Sequence, residues 1–440
     1  MHALTRLLKL SPLAALCMAP LPALATNGMN MEGYGPISTG MGGASQAIDH
    51  GTAAMAQNPA TLALMAPGSR FDAAIGLLGP NVNSSLPGFG SAKSEGTSYA
   101  MPGFGYARQQ GALTYGIGLF AQGGMGTDYS ANSFLAAGSG APVRSELGVG
   151  RVLLPLAYQL SPALAVGATL DFMWATLDMR MAMSGAQLGG LVTGASGNLG
   201  AALPALGGAP WARIDFSNTG DFSGAARSTG WAGKVGAVYK AAPTLTLGAS
   251  YQFKSSLGDM KTGSTGAALS ATGGFSDQGR ITVLDFQWPA TLALGASWQA
   301  TPALLLVADV KRFEWADVMK DFRLRYDSAG MGGSVSFALP QNWKNQTATS
   351  LGLAYAVNDA LTLRAGLNLA DNPIPAAMVN PLFPATVKNH YTAGLGYRWS
   401  KASEFNGSLT VEPTSTVTNG MGVVISHKQL NAQLMYSHRF

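Results

Sequence analysis

Apolar and polar residues alternate along much of this chain. Between Thr244 and Lys254, Leu245, Leu247, Ala249, Tyr251 and Phe253 share one face, and Thr244, Thr246, Ser250, Gln252 and Lys254 share the other. The same period sets Leu361, Leu363, Ala365 and Leu367 against Thr362, Arg364, Gly366 and Asn368. It also sets Tyr391, Ala393, Leu395, Tyr397 and Trp399 against His390, Thr392, Gly394 and Arg398. Successive side chains of a strand point to opposite faces, so a period of two reads as β-strand. One unit of strand, short turn and strand recurs from Ala157, Val238, Ser297 and Ala354. Pro162, Pro243 and Pro302 suit the turns because proline fixes φ and donates no hydrogen bond, and Asn358-Asp359 forms a turn through side-chain bonding.

This patterning predicts strands near 69–80, 98–108, 112–122, 143–159, 162–180, 227–240 and 243–255. Further strands are expected near 280–299, 302–316, 346–357, 360–370, 389–400, 404–413 and 428–440, fourteen in all. Connections alternate short and long. The long ones, near 81–97, 123–142, 181–226, 256–279, 317–345, 371–388 and 414–427, are expected to face outward. Tyr158, Tyr239, Trp298, Tyr355 and Trp399 fall at strand ends beside the short turns, where an aromatic girdle would meet a membrane interface.

Composition turns these strands into a membrane barrel. Charged residues make up 11% of the chain, against roughly 25% in ordinary soluble proteins. No apolar run beyond the start approaches the ~18 residues of a membrane helix. Lipid offers no partners to backbone N–H and C=O groups, so the remaining spanning structure is a closed barrel. A soluble sandwich would turn the same apolar face inward. Low charge and the aromatic placement favour the barrel.

The start of the chain reads as an address. Arg6 and Lys9 precede an apolar stretch from Leu10 to Leu24, which ends in Ala23-Leu24-Ala25, the pattern of a secretory signal peptide over 1–25. Cys17 falls inside it, so the expected mature chain has no thiol for a disulfide or metal site. Removing Arg6 and Lys9 from the 27 basic residues leaves 25 against 22 acidic ones, too small an excess to point to nucleic acid.

Residues 26–66 carry no strand pattern. "GTAAMAQNPATLALM", from Gly51, reads as two apolar helical turns broken at Asn58-Pro59. A barrel of this size has a lumen too wide for its own side chains to fill. The segment 26–66 is therefore expected to plug it, and 67–440 to form the barrel, with the longest outer loops near 181–226 and 317–345.

These residues resemble a known family. "GYGPISTGMGGA" at Gly33–Ala44 followed by Asn58, Pro59 and Ala60 looks like the hatch of FadL-type outer-membrane transporters. "WPATLALGASW" from Trp288, "DNPIP" from Asp371, "NPLFPATVKNH" from Asn380 and "HYTAGLGYRW" from His390 extend the likeness over nearly the whole expected mature chain. The resemblance implies an all-β, fourteen-stranded antiparallel transmembrane barrel, with a plug of short helices inside the lumen. It implies passive uptake of small hydrophobic molecules, long-chain fatty acids or aromatic hydrocarbons. Capture near the outer loops, hatch rearrangement and sideways release through a kinked third strand would follow.

Candidate sites come partly from this resemblance and partly from the residues themselves, since the chain departs from the family pattern around Met29 and Met31. Asn58, Pro59 and Ala60 form the hatch motif. Gly123 and Gly124 either kink the third strand to open the wall or begin an outer loop. Met29 and Met31 either line a ligand site or pack within the plug. The apolar stretch within 181–226 either forms a capture groove or packs on the barrel mouth as an amphipathic helix. Terminal Phe440 resembles the signal read by barrel assembly machinery, with His438 an unusual neighbour. Outer-membrane lipid is the expected surround, both termini are expected in the periplasm, and the protein is expected to act as a monomer. His50, His390, His427 and His438 lack a nucleophile motif or metal spacing, so no enzyme, cofactor or metal is expected. The competing functions are a general diffusion porin and a structural or adhesive barrel.

Overall fold

A computed structural model describes residues 27–220 and 223–440. The expected signal peptide, with its cleavage after Ala25, lies outside the described residues. Strand Gly68–Leu86 pairs on one side with Val424–Arg439, in a seam from Arg70↔Arg439 to Ser85↔Val424, and on the other with Tyr99–Gln110. Antiparallel neighbours then follow around the wall: Leu113–Tyr129, Val143–Gln159, Leu164–Met183, Ala226–Ala242 and Leu245–Gln252. Thr291–Thr301, Leu304–Phe313, Gln346–Ala356, Leu361–Ala370, His390–Arg398 and Ser403–Thr418 lead back to Val424–Arg439 and close the ring. Closure gives every wall strand a neighbour on both sides over at least part of its length. No helix among the described residues is long and apolar enough to cross a membrane.

The expected count of fourteen is corrected, because the sheet holds 23 strands among the described residues. Segments read as outer loops are themselves paired. Gly90–Lys93 lies within 81–97, and Val192–Ser196 and Ala212–Phe216 lie within 181–226. Ser256–Leu257, Met260–Lys261, Ala267–Ala271 and Phe275–Leu284 follow, then Asp321–Ser328 and Ser334–Pro340. In Asp321–Ser328 the outer face carries charge, which hides it from a search for lipid-facing patterns: Arg323 and Arg325 are exposed, while Leu324 between them and Tyr326 beyond are fully buried. Phe275–Leu284 pairs with Asp321–Ser328, whereas Thr291–Thr301 sits in the wall, so the single strand expected over 280–299 is two. The break holds Asp285, at φ 53°, and Pro289, which has no N–H to give a ladder. Leu113–Tyr129 also runs past 122, into the expected loop.

The outer surface of the wall is apolar. Ile75, Leu77, Leu154, Leu156, Leu292 and Leu294 are exposed, as are Tyr158, Tyr239, Trp298, Tyr355 and Trp399 at the short turns. Inside, the N-terminal segment forms helix Gly35–Thr39, a 3-10 turn Gly51–Ala53 leading into Ala54–Gln57, and a 3-10 stretch Pro59–Leu64. Such short helices leave most of their backbone groups without internal partners. Wall side chains supply them: Lys311 Nζ donates to Gly43 O at 2.7 Å, Arg151 Nη2 to Ala56 O at 3.0 Å, and Asp309 accepts from Ser45 N at 2.7 Å.

Glycine lets the plug approach the wall. A Cβ on Gly248 would stand 1.8 Å from Gln46 O, on Gly236 2.0 Å from Asn58 Oδ1, on Gly366 2.2 Å from Met41 C, and on Gly167 2.6 Å from Ala60 N. No real Cβ tolerates such distances, so the plug lies directly against wall backbone along a glycine belt.

Candidate functional site

The wall is incomplete at one place. Pairing between Tyr99–Gln110 and Leu113–Tyr129 ends at Gly103↔Phe120, while Tyr99 to Pro102 stay paired to Leu78 to Ile75 on the other side. Beyond Phe120 the strand shifts register against its other neighbour between Ala121 and Gly123, a bulge that bends it away. Gly123 instead bridges to Asn30 of the plug, and a Cβ on it would lie 2.1 Å from Met29 O. A Cβ on Gly124 would stand 2.3 Å from Leu147 O across the ladder. Both glycines are thus required by close approach, and the strand continues through them rather than ending in a loop.

A cavity of about 840 Å³ opens at this bulge. Met29, Met31 and Glu32 of the plug line it, together with Met101, Leu119, Gly123, Gly124 and Met125 at the unpaired edge. Leu119 is exposed on the outer face of the wall, so the cavity reaches from the lumen toward the lipid side. Asn30 fixes the plug's first turn: its Oδ1 accepts from Gln122 Nε2 at 2.6 Å and from Trp288 Nε1 at 3.2 Å. Trp288 packs edge-on against Trp315, and Trp315 against Trp343, a buried aromatic row beside Asn30. The connection 371–388 folds into the mouth, where Tyr129 Oη donates to Pro381 O at 3.1 Å and Leu382 is buried.

One side of the cavity is polar. His390 Nε2 lies 3.2 Å from Glu412 Oε1, which also accepts from Asn431 Nδ2 at 2.9 Å. Thr410 Oγ1 donates to Glu32 Oε1 at 3.1 Å, and His427 Nδ1 lies 2.8 Å from Pro384 O. Burial pushes the Glu32 carboxyl above its ordinary range; His390 opposes that rise and Glu412 adds to it.

Met29, Met31, Gly123 and Gly124 therefore meet at one cavity, while Asn58, Pro59 and Ala60 do not line it. Asn58 is fully buried against the wall: its Oδ1 accepts from Ala60 N at 3.1 Å, and its Nδ2 donates to Gln46 O at 2.8 Å and Ala237 O at 3.1 Å. The apolar stretch within 181–226 forms helices Gly185–Leu191 and Gly197–Gly207, which bury Leu188, Leu199 and Leu206 under the rim. Sequence reasoning missed Glu32, His390, Glu412 and His427 as one group. Alternation puts His390 on the inward face, but its neighbour across the ladder requires the register.

The sequence matches the family of outer membrane protein transport proteins (OMPP1/FadL/TodX) over residues 18–418. Among solved structures, the toluene transporter TodX of Pseudomonas putida is 34% identical over 93% of this chain and 99% of its own, with a TM-score of 0.84. The toluene transporter TbuX of Ralstonia pickettii is 31% identical over the same shares, with a TM-score of 0.79. A FadL homologue of Pseudomonas aeruginosa, 16% identical at a TM-score of 0.71, shares the fold. A stretch of 77 residues, 17% of this chain, is 46% identical to an uncharacterized protein of Chlorobium limicola, and spans only 37% of that protein's length. The chain belongs to the OMPP1/FadL/TodX family of outer membrane transport proteins.

Proposed function

We propose that this protein carries small apolar molecules, monoaromatic hydrocarbons among them, passively across the outer membrane and releases them sideways into the bilayer. The observation that carries this reading is the cavity at the bulge, which touches both the plug and the unpaired edge of the wall. Met29 and Met31 offer soft, adaptable surface to an apolar ligand. Burying a methylene is worth roughly 0.8 kcal/mol, so a few such contacts hold a greasy solute without charge. Residues 26–66 act as the hatch, and Asn58, Pro59 and Ala60 anchor it while its first turn moves. A shift of Asn30 away from Gly123 widens the exit, provided the ligand binds the two packings unequally. Phe440 pairs with Ser69 at the seam and leaves its ring exposed, which suits recognition by assembly machinery from a periplasmic terminus.

The experiment is toluene uptake by cells lacking other such transporters. Expression of the full chain should raise the rate several-fold over empty vector. Gly123→Val drives its side chain toward Met29 O and should remove most of that gain at normal barrel yield. If toluene enters no faster than in the control while sugars enter faster, the chain is a general porin.

A further inference from the structure

The cavity is two-sided, and its polar side is built rather than incidental. Glu412, His390 and His427 line it and are 3%, 2% and 6% exposed. Each keeps a side-chain atom with no hydrogen-bond partner among the described residues: Glu412 Oε2, His390 Nδ1 and His427 Nε2. Buried polar atoms are ordinarily satisfied, and three orphans around one cavity need a partner that enters it. A carboxylate oxygen only accepts, and a neutral imidazole carries one accepting nitrogen. His390 Nε2 faces the Glu412 carboxylate and His427 Nδ1 a carbonyl oxygen, so in neutral rings both donate there, the orphaned nitrogens accept, and all three orphans lack a donor.

That shared lack selects a ligand chemistry. A carboxylate ligand brings acceptors only, so it would leave the orphans without a donor and meet the Glu412 carboxylate head-on. A plain hydrocarbon would leave Glu412 Oε2 without a partner. A hydroxyl supplies the missing donor and carries no charge to desolvate. Met29, Met31, Met101 and Met125 line the same cavity, and thioether sulfurs pack well against aromatic ring edges. We infer that the cavity is a site for hydroxylated monoaromatics, with the ring among the methionines and the hydroxyl donating to Glu412. This rests on the transport reading and narrows its substrate class.

Calorimetry on the purified full chain in detergent, with p-cresol, toluene and p-toluate, tests the assignment. The three share a methyl-bearing ring and differ in the head group. p-Cresol should bind roughly tenfold tighter than toluene, the size of a good hydrogen bond to a charged acceptor, and p-toluate should bind weakest. Glu412→Gln keeps the shape and the bond from Asn431 while removing the charge, and the p-cresol preference should fall severalfold. Glu412→Met should erase it. Heat-modifiable migration on a gel reports that each barrel has closed. Equal affinity of the wild type for p-cresol and toluene overturns the assignment, as does tightest binding of p-toluate or an intact preference in both closed variants. Preference in the calorimeter without uptake by cells would overturn transport alone. Uptake with equal affinities would overturn the head-group site alone.

Discussion

Asn58 combines three bonds in one amide. It caps the 3-10 stretch Pro59–Leu64 and ties it both to Gln46 within the plug and to Ala237 in the wall. Truncation removes a cap worth about 1 kcal/mol and takes the side-chain donor from the buried Gln46 carbonyl, costing about 1–2 kcal/mol more, while Ala237 stays within the wall ladders. Asn58→Ala should loosen the plug by about 2–3 kcal/mol, read as faster hydrogen exchange at residues 54–62 with barrel yield unchanged. Retained protection would mean that backbone contacts such as Ala60 against Gly167 hold the plug without the amide. The motif was legible in the sequence as a helix break, since an Asn before Pro starts a turn. Its partners were not, because Ala237 is far along the chain and offers only a carbonyl. His438 is a milder case: its ring stacks on Tyr436 and meets Phe440 edge-on at 4.6 Å, so the apolar position expected there is filled by an aromatic face.

At the scale of elements, the wall strands were readable because lipid enforces one rule on their outer face. The rim strands obey a different rule, with water outside and an apolar cluster within, so Arg323 and Arg325 disguised a strand as a loop. The bulge at Gly123 was half legible. Two glycines mark an irregularity, but whether it bends a strand or ends one depends on Asn30, which comes from another element. The glycine belt was invisible, since glycine carries no hydropathy signal and its importance lies in what touches it. Gly248→Val would place a branched side chain against Gln46 O and unseat the plug. Single-channel conductance in planar bilayers should then rise toward that of a chain lacking residues 28–60. Low conductance in both closed variants would mean that something other than this segment blocks the lumen.

For the whole molecule, the plug's partners are spread around the ring. Asp72, on the first wall strand, accepts from Thr52 N at 2.6 Å, and Thr392, near the end of the chain, accepts from Gly42 N at 2.9 Å. Residues separated by 350 positions must therefore meet before the plug is complete. Contacts at such separation form slowly, because the chain between them must be ordered first. A ring already shut around an empty lumen would have to admit the plug through an open end and then seat it against wall residues all around the ring. The plug and the seam between the first and last strands are thus expected to form together, with the plug as the mandrel on which the sheet rolls up. Refolding from urea into detergent, followed by heat-modifiable migration, should be at least severalfold slower or lower in yield for a chain lacking 28–60. Equal rates would make the plug a late passenger. If the mandrel is needed, a substitution at the belt, far from either terminal strand, will register first as a failure to biogenesis and only afterwards as a change in transport.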